Sequence, residues 1–286
     1  MVFSSGSSPS RLAPQFVRSP GASEPRARLF CFPYAGGSAP MFAGWGERLK
    51  PEIEVFAAMP KGRGMRFKEI PCETVADMVD DYLEVLREKV LETPGLPFAF
   101  YGHSLGGIVA FEVARRLEDE GLPGPDHLFI GATAPPHLGL IHSRIRHLPD
   151  NEFVTAVQDR YAGIPAAVLN EPELMELLLP VLKADFSAYE NYEYGVATFV
   201  ECPLTAFAGD RDKGLRPGLL DGWYKHTTGG FDVHTVAGEH FFLTEPETRE
   251  FVLAAIQNTL LAIAKQDSED SVEELTAPDM ASSTPA

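Results

Sequence analysis

The stretch that most constrains the fold is FAFYGHSLGGIVAF, residues 98–111. An apolar run of strand character passes directly into one of helical character, with Ser104 at the junction and Gly102 and Gly106 two positions to either side. Serine and glycine are ordinary turn formers, so the pattern alone is weak. Its position gives it weight. A G-x-S-x-G turn between a strand and a helix is abrupt enough to strain the serine and lift its hydroxyl above the sheet, and side chains at the flanking glycines would collide.

The rest of the chain supplies the sheet that such a turn needs. RLFCFP (28–33), EVFAAMP (54–60), PFAFY (97–101), HLFIGATA (127–134), PLTAFAG (203–209) and FDVHTV (231–236) are short apolar runs bounded by Gly, Pro or Asp. Near-continuous apolar strands suit a parallel sheet covered on both faces. Helical patterns lie between them. TVADMVDDYLEVLREKVLE opens with a capping spacing from Thr74 to Asp77, and the last helix starts near a second such spacing, Thr244 to Glu247. The alternation predicts a mostly parallel, doubly wound α/β sheet over residues 28–265, with ligand sites at the carboxyl ends of its strands. Residues 138–195 break it: they show only helical patterns, the second interrupted by Pro180, and are rich in Leu, Phe and Tyr where the rim of a site belongs. A helical lid over an apolar ligand is the expected role.

Both ends fall outside this pattern. Residues 1–27, rich in Ser, Pro and Arg, are expected to form a disordered arm rather than a transit peptide. Residues 266–286, with six acids and no base, are expected to form a disordered acidic tail. A formal charge of −17 argues against nucleic acid or an anionic membrane as the main partner, and no run approaches the ~18 apolar residues of a membrane span. Three scattered cysteines form neither a disulfide framework nor a zinc spacing, and His137, His142 and His147 carry no metal-ligand pattern. The expected compartment is the cytoplasm, with no metal and no cofactor.

A serine hydroxyl needs a base, and the base an orienting carboxylate. On sheets of this kind they follow in the chain order serine, acid, histidine. GDRD after the strand 203–209 offers Asp210 and Asp212, and GEH after the strand 231–236 offers His240. Asp212 is preferred as the acid because it ends a G-x-x-D turn; Asp210 is the alternative. Two backbone N–H groups are expected to receive the charge that develops on a substrate oxygen, one from Leu105 at the start of the helix and one from Ala35 in the loop FPYAGGSA.

FCFPYAGGSA, the GRG of MPKGRGMR, FYGHSLGGIVAFEVAR, ADFSAYENYEY, CPLTAFAGDRD, GWYKHTTGGF and GEHFFL, in this order, resemble the type II thioesterases of modular polyketide and nonribosomal peptide synthases. The resemblance runs from Arg28 to Ile263. It implies an α/β-hydrolase fold with a helical lid, a triad of Ser104, Asp212 and His240, oxyanion donors at Ala35 and Leu105, and hydrolysis of acyl groups from the phosphopantetheine arm of acyl carrier proteins. Many relatives have Pro-Gly-Arg where this chain has Pro60-Lys61-Gly62-Arg63, a departure that leaves the shape of that loop open. Lys61, Arg63 and Arg66 are a candidate basic patch for an acidic carrier, or else a solvated surface cluster. The rival functions are a chain-releasing or cyclising thioesterase, an acyl-CoA thioesterase, and a non-catalytic interaction protein that kept the hydrolase fold.

Overall fold

The computed structural model describes residues 14–20, 23–93, 95–164, 166–195, 199–216 and 218–276. Seven strands, β1 (Phe16–Arg18), β2 (Ala27–Phe32), β3 (Ile53–Ala58), β4 (Phe98–His103), β5 (His127–Gly131), β6 (Leu204–Gly209) and β7 (Phe231–Val236), form one sheet in the order β1-β3-β2-β4-β5-β6-β7. All pairings are parallel except β1 with β3. Helices α1 (Trp45–Leu49), α2 (Val75–Glu92), α3 (Leu105–Asp119), α4 (Asp150–Tyr161), α5 (Ala166–Leu169), α6 (Pro172–Glu190) and α7 (Pro246–Thr276) complete the chain.

Every residue of β4 and β5 is buried, which accounts for their unbroken apolar character. At the edge, β7 reads FDVHTV and is largely open to solvent. The chain lays β3 on one side of β2 and then crosses to place β4 on the other. That reversal leaves a crevice above the carboxyl ends of β2 and β4, the position where open α/β sheets bind ligands. This is the α/β-hydrolase arrangement.

At the N-terminus the structure departs from the expected disordered arm. Phe16 pairs with Ala58, is 2% exposed, and packs its ring against Phe30, Phe32 and Tyr82. That aromatic anchor, the ladder to β3 and the Arg18–Glu54 ion pair together hold a three-residue edge strand whose own pattern is too short to read. Residues 1–13, 21 and 22 of that arm lie outside the described residues. At the other end α7 runs through Thr276, into the segment assigned to the acidic tail; residues 277–286 lie outside the described residues.

Thr74 caps α2, its hydroxyl oxygen accepting from the Asp77 N–H at 3.1 Å. Thr244 does not cap α7: its hydroxyl donates to the carbonyl of Phe241, and the helix begins two residues later at Pro246, where a missing N–H costs nothing. Between β5 and β6 the helices α4, α5 and α6 build a second apolar cluster around Ile145, Phe153, Val157, Ile164, Leu182 and Phe186. Helix α6 continues through Pro180 rather than breaking there. The residue whose carbonyl loses its partner, Glu176, lies on an exposed turn where water can replace it.

Among the described residues no helix is long and apolar enough to cross a membrane.

Candidate active site

The elbow at Ser104 follows from what its neighbours leave room for. A Cβ on Gly102 would lie 2.2 Å from the carbonyl oxygen of Gly106, and one on Gly106 would lie 2.2 Å from that of Phe32. Only bare backbone fits at either place. Between them Ser104 adopts φ 54° and ψ −120°, a conformation costly for a residue with a side chain. Its own N–H donates to the Gly131 carbonyl at 2.8 Å, and its carbonyl accepts from the Thr133 hydroxyl at 2.8 Å, so the strained residue is held from the neighbouring strand end.

His240 follows β7 and Asp212 follows β6. Ser104 Oγ lies 3.0 Å from His240 Nε2, and His240 Nδ1 lies 2.8 Å from Asp212 Oδ2. A carboxylate only accepts, so Nδ1 carries the proton and donates it to Asp212, leaving Nε2 as the acceptor that faces the hydroxyl. The second carboxylate oxygen of Asp212 accepts from the Gly214 N–H at 2.7 Å. Both side chains are almost fully withdrawn from water. The three groups form a hydroxyl, imidazole and carboxylate relay able to raise the nucleophilicity of a serine.

Asp210, the alternative acid, faces elsewhere. It accepts from the Gly238 N–H at 2.8 Å and pairs with Arg211 at the surface. It thereby anchors the turn that leads to His240.

His103, one residue before the serine, was not singled out in the sequence. Its Nε2 donates to the His240 carbonyl at 2.8 Å, which leaves Nδ1 to accept from the Tyr101 hydroxyl at 3.2 Å. Burial, with a smaller contribution from the neighbouring His240, pushes its pKa down to about 3. The ring is therefore neutral at any ordinary pH. A histidine inside an apolar strand end, directly before an elbow serine, was the available signal. Tyr161 at the end of α4 lies over the His240 ring, 4.9 Å between centroids, and burial raises the pKa of its hydroxyl.

Ser104 and His240 open onto a cavity of about 260 Å³. Ala35 and Leu105 border it beside the serine, while Val157, Ile164, Leu178 and Phe186 give it an apolar far wall contributed by the helical segment between β5 and β6. Leu105 is the first residue of α3, so its N–H has no acceptor within the helix.

The basic patch is a correction. Arg66 is 3% exposed and makes paired hydrogen bonds of 2.6 and 2.8 Å to Asp81, with Glu69 on its other edge. Arg63 is 10% exposed and forks onto Asp185 with two 2.7 Å bonds. Lys61, 32% exposed, also turns toward Asp81, at 3.2 Å. These cations neutralise buried carboxylates of α2 and α6, and the two arginines are withdrawn from the surface. Among the described residues no group of three or more His, Cys, Asp or Glu side chains is placed to hold a metal ion.

The thioesterase domain family matches residues 27–260. The gramicidin S biosynthesis protein GrsT of Aneurinibacillus migulanus is 36% identical over 230 residues, covering 80% of this chain and 88% of that protein. Thioesterase PikA5 of Streptomyces venezuelae is 34% identical over 221 residues, covering 76% of each. Among solved structures, the type II thioesterase BorB from the borrelidin biosynthetic cluster superposes with a TM-score of 0.77 at 31% identity, over 88% of this chain and all of that one. RedJ, a thioesterase of the prodiginine pathway in Streptomyces coelicolor, superposes with a TM-score of 0.76 at 34% identity, over 84% of this chain and 94% of that one.

Proposed function

The chain belongs to the thioesterase family, and from that premise we propose that it is a type II thioesterase in which Ser104, His240 and Asp212 cleave acyl groups from the phosphopantetheine arm of a carrier protein. The observation that carries the reading is the relay itself: Ser104 Oγ 3.0 Å from an imidazole that Asp212 holds at 2.8 Å, facing an apolar cavity.

In the first half of the reaction His240 Nε2 takes the proton of Ser104 as Oγ bonds to the thioester carbon. The carbonyl oxygen becomes an oxyanion received by the N–H groups of Ala35 and Leu105, each worth about 10²- to 10³-fold in turnover. As the carbon–sulfur bond breaks, the imidazolium returns the proton to the departing thiol and an acyl-serine remains. In the second half a water gives its proton to His240 and attacks the same carbon. Collapse of the second tetrahedral species breaks the bond to Oγ, which recovers a proton from the imidazolium, and the free acid leaves. Asp212 keeps the ring in the required tautomer and offsets its transient charge.

The apolar far wall favours a hydrocarbon-like acyl group, and the helical segment over it serves as a lid. Clearing stalled or wrongly loaded units from a polyketide or nonribosomal peptide synthase, in the cytoplasm, is the biological role this chemistry suits. The test is hydrolysis of an acyl-loaded carrier protein, followed by mass spectrometry of the phosphopantetheine arm. Ser104→Ala is expected to abolish it while circular dichroism remains that of the wild type; wild-type turnover in that variant would end the proposal.

A further inference from the structure

We propose that Asp185, on the helical segment between β5 and β6, is a positioning residue that sets the direction of the Ala35 N–H. The inference rests on the reading of Ala35 as an oxyanion donor.

The loop after β2 is a tight turn in which the Gly37 N–H donates to the Tyr34 carbonyl at 2.8 Å. That carbonyl and the Ala35 N–H belong to one planar peptide unit and point in opposite directions. Whatever fixes the turn therefore aims the Ala35 donor. Two groups from outside the loop fix it. Asp185 Oδ2 accepts from the Gly36 N–H at 2.6 Å, and Arg63 Nη1 donates to the Gly37 carbonyl at 3.0 Å. Arg63 and Asp185 are joined by their paired 2.7 Å bonds, and Asp185 is 2% exposed. Three chain segments thus meet at one buried carboxylate.

The turn has little room to take up another shape. Gly36 has φ +79°, and a Cβ on it would lie 2.9 Å from Leu182 Cδ1. Leu182 and Asp185 are three residues apart on α6, hence neighbours on one face of that helix. Leu178, Leu182 and Phe186 of α6 also line the cavity. One helix therefore both forms the wall against which the acyl group packs and holds the turn that stabilises the developing oxyanion. Neither the serine nor the imidazole is touched by this device, so its loss acts on transition-state stabilisation and leaves nucleophile activation alone.

An asparagine at position 185 has one acceptor oxygen in place of two and sets an NH2 group against the guanidinium, so it cannot keep the Gly36 bond together with both Arg63 bonds as the carboxylate does. In Asp185→Asn, kcat for an acyl-N-acetylcysteamine thioester is expected to fall at least about tenfold with KM changed less than about twofold. The pH at which kcat/KM half-develops is expected to stay where it is in the wild type. Affinity for a trifluoromethyl ketone, which forms a tetrahedral adduct on the serine, is expected to fall in parallel with kcat/KM. A buried arginine left without its partner can prevent folding, so the double variant Arg63→Met/Asp185→Leu, which removes both charges and every acceptor for the Gly36 N–H, is the decisive one. Its kcat is expected to remain depressed although its unfolding midpoint recovers. A folded double variant with kcat within about twofold of the wild type would overturn the proposal. A wild-type protein whose turnover did not depend on Ser104 would instead overturn the underlying reading.

Discussion

His103 and His240 are joined ring to backbone: Nε2 of the first donates to the carbonyl oxygen of the second at 2.8 Å, inside a fully buried pocket. The residue before the serine therefore holds the main chain of the residue that faces the serine. Because burial keeps His103 neutral, with a pKa of about 3, it contributes no ionisation to the pH dependence of turnover. His103→Phe keeps a ring and removes the donor. The loss of one neutral hydrogen bond, about 0.5–1.5 kcal/mol, corresponds to a fall in kcat of roughly 2- to 12-fold. The pH profile is expected to keep its midpoint, and steady-state kinetics between pH 5 and 9 would check both.

The same depressed pKa makes the fold sensitive to acid. His103 and His127, the latter held at about 4 chiefly by burial, bind protons less readily in the folded protein than in the unfolded chain, where histidine titrates near 6.5. Below about pH 6.5 the unfolded state therefore binds more protons, and stability is lost as the pH falls toward 4. Each group contributes a slope of up to about 1.4 kcal/mol per pH unit in that window and none above it. His127→Gln, a neutral replacement at the ring that meets Thr205 at 2.9 Å, is expected to remove one proton's share of the slope. Urea unfolding at several pH values between 7 and 4.5 would show it; identical slopes for the two proteins would refute the assignment.

The parts of the fold and site legible in the sequence are those whose cause is local. β4, β5 and β6 read as strands because burial on both faces demands uninterrupted apolar residues, and the elbow reads as an elbow because one of its glycines answers to backbone only four residues away, Gly102 against Gly106. Where the cause is distant the sequence is mute. Phe16 is a strand residue only because rings from β2 and α2 receive it. Arg63 and Asp185 are 122 positions apart, and the stretch that holds Arg63 reads equally well as a solvated surface cluster. A charge pattern records that cations are present. It does not record that a carboxylate on another element has already taken them, which is why the basic patch failed.

Gly106 lies in α3, where alanine would ordinarily favour the helix by about 1 kcal/mol. Here the added Cβ would fall 2.2 Å from the Phe32 carbonyl oxygen, a backbone atom fixed in the sheet. Steric exclusion outweighs propensity, and Gly106→Ala is expected to lose about 3 kcal/mol or more. Gly195, with nothing among the described residues within 4 Å of its missing Cβ, is the control, and Gly195→Ala is expected to change stability by less than about 0.5 kcal/mol. Denaturant unfolding of the two variants compares them directly.

Asp210 and Asp212 separate the two jobs that the GDRD turn combines. Asp212 meets the imidazole at 2.8 Å and is buried; Asp210 is half-exposed and, among the described residues, meets the Gly238 N–H and Arg211. Asp212→Asn preserves the shape but presents an amide where a proton must be accepted, so either the ring takes the wrong tautomer or the bond is lost. A fall in kcat on the order of 10³- to 10⁴-fold is expected. Asp210→Asn keeps an oxygen able to accept from Gly238 and gives up only a surface ion pair, a contact of the kind worth at most about 1 kcal/mol. Its kcat is expected within about threefold of the wild type, with the change confined to the unfolding midpoint. Turnover of one acyl thioester by both variants, each normalised to folded protein, decides the assignment: a larger loss at position 210 than at 212 would transfer the role of orienting the imidazole to the other carboxylate.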